Sequence, residues 1–449
     1  MSIARFGKIL TVWATLAAAF LVVSASAESK VRFIRLSEVQ GVVQLDRNAG
    51  EGFDKAFLNL PVIEGSRLRT GRDGHAEVEF EDGSALRLAP NSEVDFTHLA
   101  LEDDGQMISA VQLVSGTVYA DLHPKKTGGS GRSGGPFRLT FGRESVSMAD
   151  AAHLRVELAG ATATVAVFKG KVTANLPSGT FEIAEKHRAT IAVVNDDSAG
   201  PGKKDTLVIA KNYEDRPSDA WDREQTDYHD RYTSPGASSI SSPYDYGVGD
   251  LSYYGNFITV PGYGNVWRPY FVGVSWSPFQ DGGWAFYPGA GYMWVSGYPW
   301  GWIPYNYGNW AFAPGVGYVW QPGNWDTRNA LPRLLNAPAG AIAPAVPATG
   351  HQTLMVGLGL AANSAVLPSR LTINPGSAAF GVPRGSVNHL DHLAKKMEKN
   401  SRPVTASTVL PESAATDSGP KGMTSNVTPP RTPKQTKLLP IAGIRQSSD

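Results

Sequence analysis

Gly131-Arg132-Ser133-Gly134-Gly135 fits the Gly-x-Ser-x-Gly pattern of a nucleophile elbow, which lifts a serine Oγ on a sharp turn between strand and helix. Here the pattern lies in a glycine-rich loop with no predicted helix after it, so the serine lacks the setting that would activate it. The same loop, from Gly128, lacks the Lys-Ser/Thr pair and the helix start of a phosphate cradle. His389 and His392 are three residues apart on a predicted helix and would share a face for a metal, but the sequence offers no evident third ligand, and they read as solvated. Asp103-Asp104 and Asp196-Asp197 sit beside turn glycines or in loops, where acids satisfy backbone N–H groups. The sequence therefore predicts no catalytic residue, no metal and no cofactor.

Aromatic side chains carry the remaining chemistry. Nine of the eleven Trp lie between Trp267 and Trp325, and no lysine occurs between Lys211 and Lys395. Such rings stack on sugar rings, or on aromatic or prolyl ligands, when exposed. They also form a core where aliphatic residues are scarce, since each buries ~150–250 Å². Most of these Trp are expected in the core. Trp276, Trp300, Trp302 and Tyr305, in the connecting segments, are the candidates for an exposed binding patch.

Three units position these rings. Each has an aromatic, then Pro-Gly at the fourth and fifth following positions, Gly at the seventh and Trp at the tenth. They are Phe257 to Trp267, Trp284 to Trp294 and Trp310 to Trp320, with starts 27 and 26 residues apart. Pro-Gly-x-Gly supplies a fixed φ and positive φ values, so each unit is predicted to be a hairpin, and the three are expected to stack into one small sheet. Trp267-Arg268-Pro269-Tyr270, Trp276-Ser277-Pro278-Phe279 and Trp302-Ile303-Pro304-Tyr305 link them, with Pro ending each strand.

Before residue 195, short alternating runs recur between Gly and Asp/Asn turns. His75 to Phe80 turns at Asp82-Gly83 and returns as Ala85 to Leu88, which predicts a hairpin with Ala76, Val78 and Phe80 buried and Glu77 and Glu79 in water. A weaker repeat, a strand starting after glycine, recurs at Gly41, Gly116 and Gly170. The fold class is all-β, a β-sandwich or short β-solenoid.

The ordered series Gly41-Val42-Val43, Leu60 to Gly71, Gly74 to Ser84 and Leu86 to Ser92 resembles the extracytoplasmic FecR domain. The resemblance covers residues 35 to 125 best. Name-giving members of that family are periplasmic, anchored by one transmembrane helix, and relay occupancy of an outer-membrane iron receptor to a sigma factor through a cytoplasmic N-terminal segment. This chain has a predicted signal peptide in that place, so the resemblance implies the fold and the location. The span from Asp219 to Trp325 resembles a Trp/Pro/Tyr-rich domain of unknown function that often follows FecR-like domains in exported bacterial proteins.

Arg5 and Lys8, the apolar run Ile9 to Val23 and Ala25-Ser26-Ala27 predict a signal peptide cleaved after Ala27, the alternative being an uncleaved anchor. No later segment is apolar enough to span a bilayer. Cysteine is absent, which excludes disulfides, thiolate metal sites and a lipid-modified cysteine. The 41 acidic and 41 basic residues cancel, so no whole-chain field favours nucleic acid or anionic lipid.

The expected organisation is a signal peptide (1–27), a FecR-like β domain (28–195), a linker with one short helix from Ser218 to near Tyr232 (196–243), an aromatic hairpin domain (244–330) and a largely disordered Ala/Pro-rich tail (331–449). Within the tail, Arg370 to Gly376 reads as strand and turn and Val387 to Lys399 as a short helix, with a basic end at Lys421, Arg431, Lys434 and Lys437. The functional expectation is a non-enzymatic, periplasmic or cell-surface binding or scaffold protein with envelope polysaccharide, peptidoglycan or a protein as partner. A FecR-type signalling component is the alternative.

Overall fold

The computed structural model describes residues 31–102, 105–124, 133–193, 206–273, 275–341, 343–348, 354–356 and 368–409. The predicted signal peptide, Gly131 and Arg132 of the elbow motif, both aspartate pairs and the basic C-terminal end lie outside these residues.

Between Ile34 and Lys211 the described residues form 17 strands in two layers. One layer runs in the order Pro61–Val62, Ile34–Gln40, His75–Glu79, Ala85–Leu88, the second half of Gln106–Leu122, Ala152–Ala159, Thr162–Lys169, His187–Ala192, Leu207–Lys211. The other contains Val43–Asp46, Arg67–Thr70, Glu93–Leu101, the first half of Gln106–Leu122, Ser133–Phe141, Glu144–Met148 and Lys171–Leu176. Residues 106–122 thus belong to both layers, and the strand changes layer at Gly116. There φ is +87°, and an added Cβ would lie 2.5 Å from the carbonyl oxygen of Asn91. A side chain is excluded on both counts. The glycine that suggested a strand start instead lets one strand bend.

Alternation sets the core. Val78, Leu86, Val118 and Val156 of the first layer meet Leu68, Val94, Val111 and Leu139 of the second. The first layer's opposite face is not in water as expected: Glu77 and Glu79 are 0% and 3% exposed. The helix Asp219–Ser239 covers it. This helix is longer than predicted and passes through Pro235. Just after it, Gly236 packs against the Val248 carbonyl, where an added Cβ would stand 2.4 Å away.

The three predicted units are hairpins: Gly255–Val260 with Gly264–Pro269, Gly282–Tyr287 with Gly291–Ser296, and Asn309–Ala313 with Gly317–Gln321. Each turn closes with the same hydrogen bond, Tyr263, Ala290 and Val316 N–H donating to Val260, Tyr287 and Ala313 carbonyls at 3.0, 3.1 and 3.0 Å. The first and last aromatics of each unit face each other: Phe257 and Trp267, Trp284 and Trp294, Trp310 and Trp320. The units do not form one sheet. The first and third join through Trp267 and Trp320, whereas the second pairs with Leu354–Val356 in a separate sheet. Its alternation explains why: Ala285, Tyr287, Met293 and Val295 enter the sandwich core, while Trp284 and Trp294 enter the aromatic one.

Residues 368–409 hold the strand and the short helix that the sequence predicted within the tail. Arg370–Ile373 pairs with Val404–Ser407, and the helix Leu390–Asn400 buries Leu390, Ala394 and Met397. These join the aromatic core because Tyr253 and Tyr254 hydroxyls donate to the Val387 and Val382 carbonyls at 2.9 Å, pinning the segment.

Candidate functional site

Trp276, Trp300, Trp302 and Tyr305 form no surface patch. They are 2%, 0%, 1% and 1% exposed. Trp300 stacks on Tyr298 with centroids 4.9 Å apart and packs against Trp267, Trp276 and Trp310. Its indole N–H donates to the Ala378 carbonyl at 2.8 Å, that of Trp276 to the Tyr298 hydroxyl at 2.9 Å, and the Tyr305 hydroxyl to the Pro278 carbonyl. The connecting segments fold inward because a body with few aliphatics has no other large apolar groups to bury. These four residues are core.

The unexpected chemistry lies on the covered face of the first layer. From the strands come Arg35, Glu77, Glu79, Arg87, Asp121 and Arg155, all buried. The long helix answers with Asp219, Asp222, Thr226 and His229, spaced 3, 4 and 3 residues apart and so on one face. Arg87 binds Glu77 and Asp222, both at 2.7 Å. Arg155 binds Asp219 at 2.5 Å, and His153 meets Asp222 at 2.7 Å. His229 reaches Glu77 and Glu79 at 3.0 and 3.3 Å. Arg35 pairs with Asp250 at 2.6 Å, and Arg384, from the C-terminal segment, reaches Glu77 at 2.5 Å.

Burial alone would raise the Glu77 carboxyl, but His229, Arg384 and Arg87 outweigh it and hold it well below the usual range. Asp121 is likewise depressed: burial opposes, while His123, Arg87 and His153 prevail. Glu77, Glu79 and His229 have ligand types within 4.8 Å of one another. However, Arg35, Arg87 and Arg384 already neutralise these carboxylates, and a divalent cation would have to displace guanidinium groups. The arrangement is an ionic lock between sheet, helix and C-terminal segment. Asp391 completes a three-residue group with His389 and His392, the third ligand type that the sequence did not make evident. Ser133 opens a strand that runs to Phe141, not the strand-turn-helix of an elbow.

Beside the lock lies a cleft of about 550 Å³, bounded by the strand Ile34–Gln40, the long helix and residues 380–388. Glu38, Trp221, Tyr228, Tyr232, Phe380 and Arg384 line it. Arg384 belongs to both features, since its guanidinium also donates to the Ser37 carbonyl at 2.8 Å. Charged residues at helical spacing facing alternate charged strand positions were the one sequence signal that could have revealed this junction.

Among the described residues no helix is long and apolar enough to cross a membrane. No curated protein matches the chain. Two crystal structures of a candidate anti-sigma factor from Parabacteroides distasonis ATCC 8503, at 1.65 and 2.50 Å resolution, are similar to part of it, at 15% identity and a TM-score of 0.26. The likeness covers 34% of this chain and 63% of those chains, so the match spans less than two thirds of their length. Residues 66–173 match the FecR protein family, and residues 248–341 a family of unknown function, DUF6600. The chain carries a FecR domain followed by a DUF6600 domain, and the ionic lock joins the first to the helix that leads into the second.

Proposed function

We propose that this protein is an exported, non-enzymatic FecR-domain binding protein of the bacterial envelope, and that the cleft beside the ionic lock is its ligand site. The cleft carries the reading. Its ~550 Å³ falls within the roughly 300–1,000 Å³ of small-molecule sites, and it combines aromatic walls with a few polar groups. The buried Trp cluster, by contrast, offers no ring to a ligand.

The test is titration of the full mature chain with soluble peptidoglycan fragments and envelope oligosaccharides, followed by calorimetry. Val409 lines the cleft and is 48% exposed, so Val409→Trp should fill the mouth without disturbing a core. Binding that is unaffected by Val409→Trp would place the ligand elsewhere and defeat the proposal.

A FecR-type regulatory role is the second reading, and Arg384 favours it. One guanidinium lines the cleft and is paired with Glu77 on a FecR-domain strand, so occupancy of the cleft would be felt by that sheet. In that case the ligand should change recovery of a membrane-bound partner in a pull-down from envelope extract. Recovery independent of ligand would separate binding from signalling.

A further inference from the structure

We infer that the cleft recognises an organic cation, a primary ammonium group seated between the Glu38 carboxyl and the surrounding aromatic rings. The inference rests on the cleft being the ligand site and names the chemistry that fits it.

Glu38 is buried and lines the cleft, yet among the described residues it makes no ion pair within 4.0 Å; its hydrogen bond comes from the neutral Gln40 amide at 3.1 Å. Its cross-strand partner is another acid, Glu77. The nearby cation, Arg384, is committed to Glu77 at 2.5 Å and Asp250 at 3.5 Å. Burial accordingly raises the Glu38 carboxyl, with Arg384 opposing. A buried carboxyl without its own counter-charge is costly, and a ligand cation would relieve that cost.

The walls suit the same ligand. Tyr228, Tyr232, Tyr254, Trp221 and Phe380 line the cleft. Ring faces attract ammonium and guanidinium groups, and Tyr228 already holds the Arg384 guanidinium 5.0 Å from its centroid. Asp227, exposed on the long helix, adds negative charge at the lining, against Arg231. A neutral sugar would leave Glu38 uncompensated, and an anionic ligand would add to its repulsion.

The experiment titrates the full mature chain with Nα-acetyl-lysine amide, with cadaverine and with the neutral control Nα,Nε-diacetyl-lysine amide. Both cations should bind and the control should not. Tighter binding of acetyl-lysine amide assigns the ammonium to a peptide, and tighter binding of cadaverine to a free amine. Glu38→Gln should weaken binding at least tenfold with no loss of melting temperature. Tyr232→Leu, at a half-buried ring, should weaken it several-fold and serves should Glu38→Gln misfold. Equal binding of cation and control, or binding indifferent to both variants, overturns the inference. If only peptidoglycan fragments bind, and Val409→Trp blocks them, the cleft stands as the site but the cation inference falls. If nothing binds, both fall.

Discussion

Replacing Arg87 by alanine removes the cation shared by Glu77, Asp222 and Asp121, which lie 2.7, 2.7 and 3.5 Å from it. All four side chains are 7% exposed or less, so water cannot readily take the place of the guanidinium. Removing one member of a buried ion pair costs ~3–5 kcal/mol, mostly because its partners remain buried and uncompensated. At about 2 °C per kcal/mol for a body of this size, the melting temperature should fall by about 6–10 °C. The loss should also depend on pH. The folded Glu77 carboxyl titrates well below its ordinary value of 4.5, so its contribution is complete above that pH and is lost as pH falls through the folded value. In Arg87→Ala the Glu77 and Asp121 carboxyls lose one of the cations that hold them down, and protonation relieves them, so the gap between wild type and variant should be widest at neutral pH and close in acid. Urea unfolding monitored by Trp fluorescence between pH 7 and pH 3 measures this, and adding Glu77→Gln should recover part of the loss. A penalty below ~1 kcal/mol, flat with pH, would show that the array behaves like a solvent-screened surface pair and would refute the reasoning.

Trp300→Ala should cost ~3–5 kcal/mol in urea unfolding, because it empties the centre of the aromatic core. Ligand binding by the fraction still folded should persist, and its selective loss would restore a binding role for that ring. Burial pushes the His75 imidazole down to about 4, so between pH 6.5 and about 4 the unfolded chain binds the extra proton and stability declines as pH falls. His75→Gln should remove up to ~3 kcal/mol of that decline, and an unchanged profile would show that His75 is already free to protonate when folded.

Much of the local structure was legible in the chain. Pro-Gly-x-Gly carries its turn within itself, because Gly262, Gly264 and their counterparts need only their own positive φ, and that requirement does not depend on what packs nearby. Alternation from His75 to Phe80 likewise identified the core-facing set correctly, since Ala76, Val78 and Phe80 are all buried. Alternation does not say whether the opposite face is covered. Glu77 and Glu79 look like solvent-facing residues until a helix far along the chain supplies His229, and the sequence encodes that partner only as part of a polar stripe.

The same division explains the tryptophans. Their spacing alone established three hairpins with facing aromatics, because cross-strand register follows from the turn. Whether Trp276 or Trp302 met water depended on the C-terminal segment and on how the second hairpin divides its two faces between two cores, which are long-range packing outcomes with no local signature. The sequence by itself determined strands, turns and the two domain types; only the tertiary structure decided which charged and aromatic faces were closed, and that closure also shaped the cleft beside Glu38.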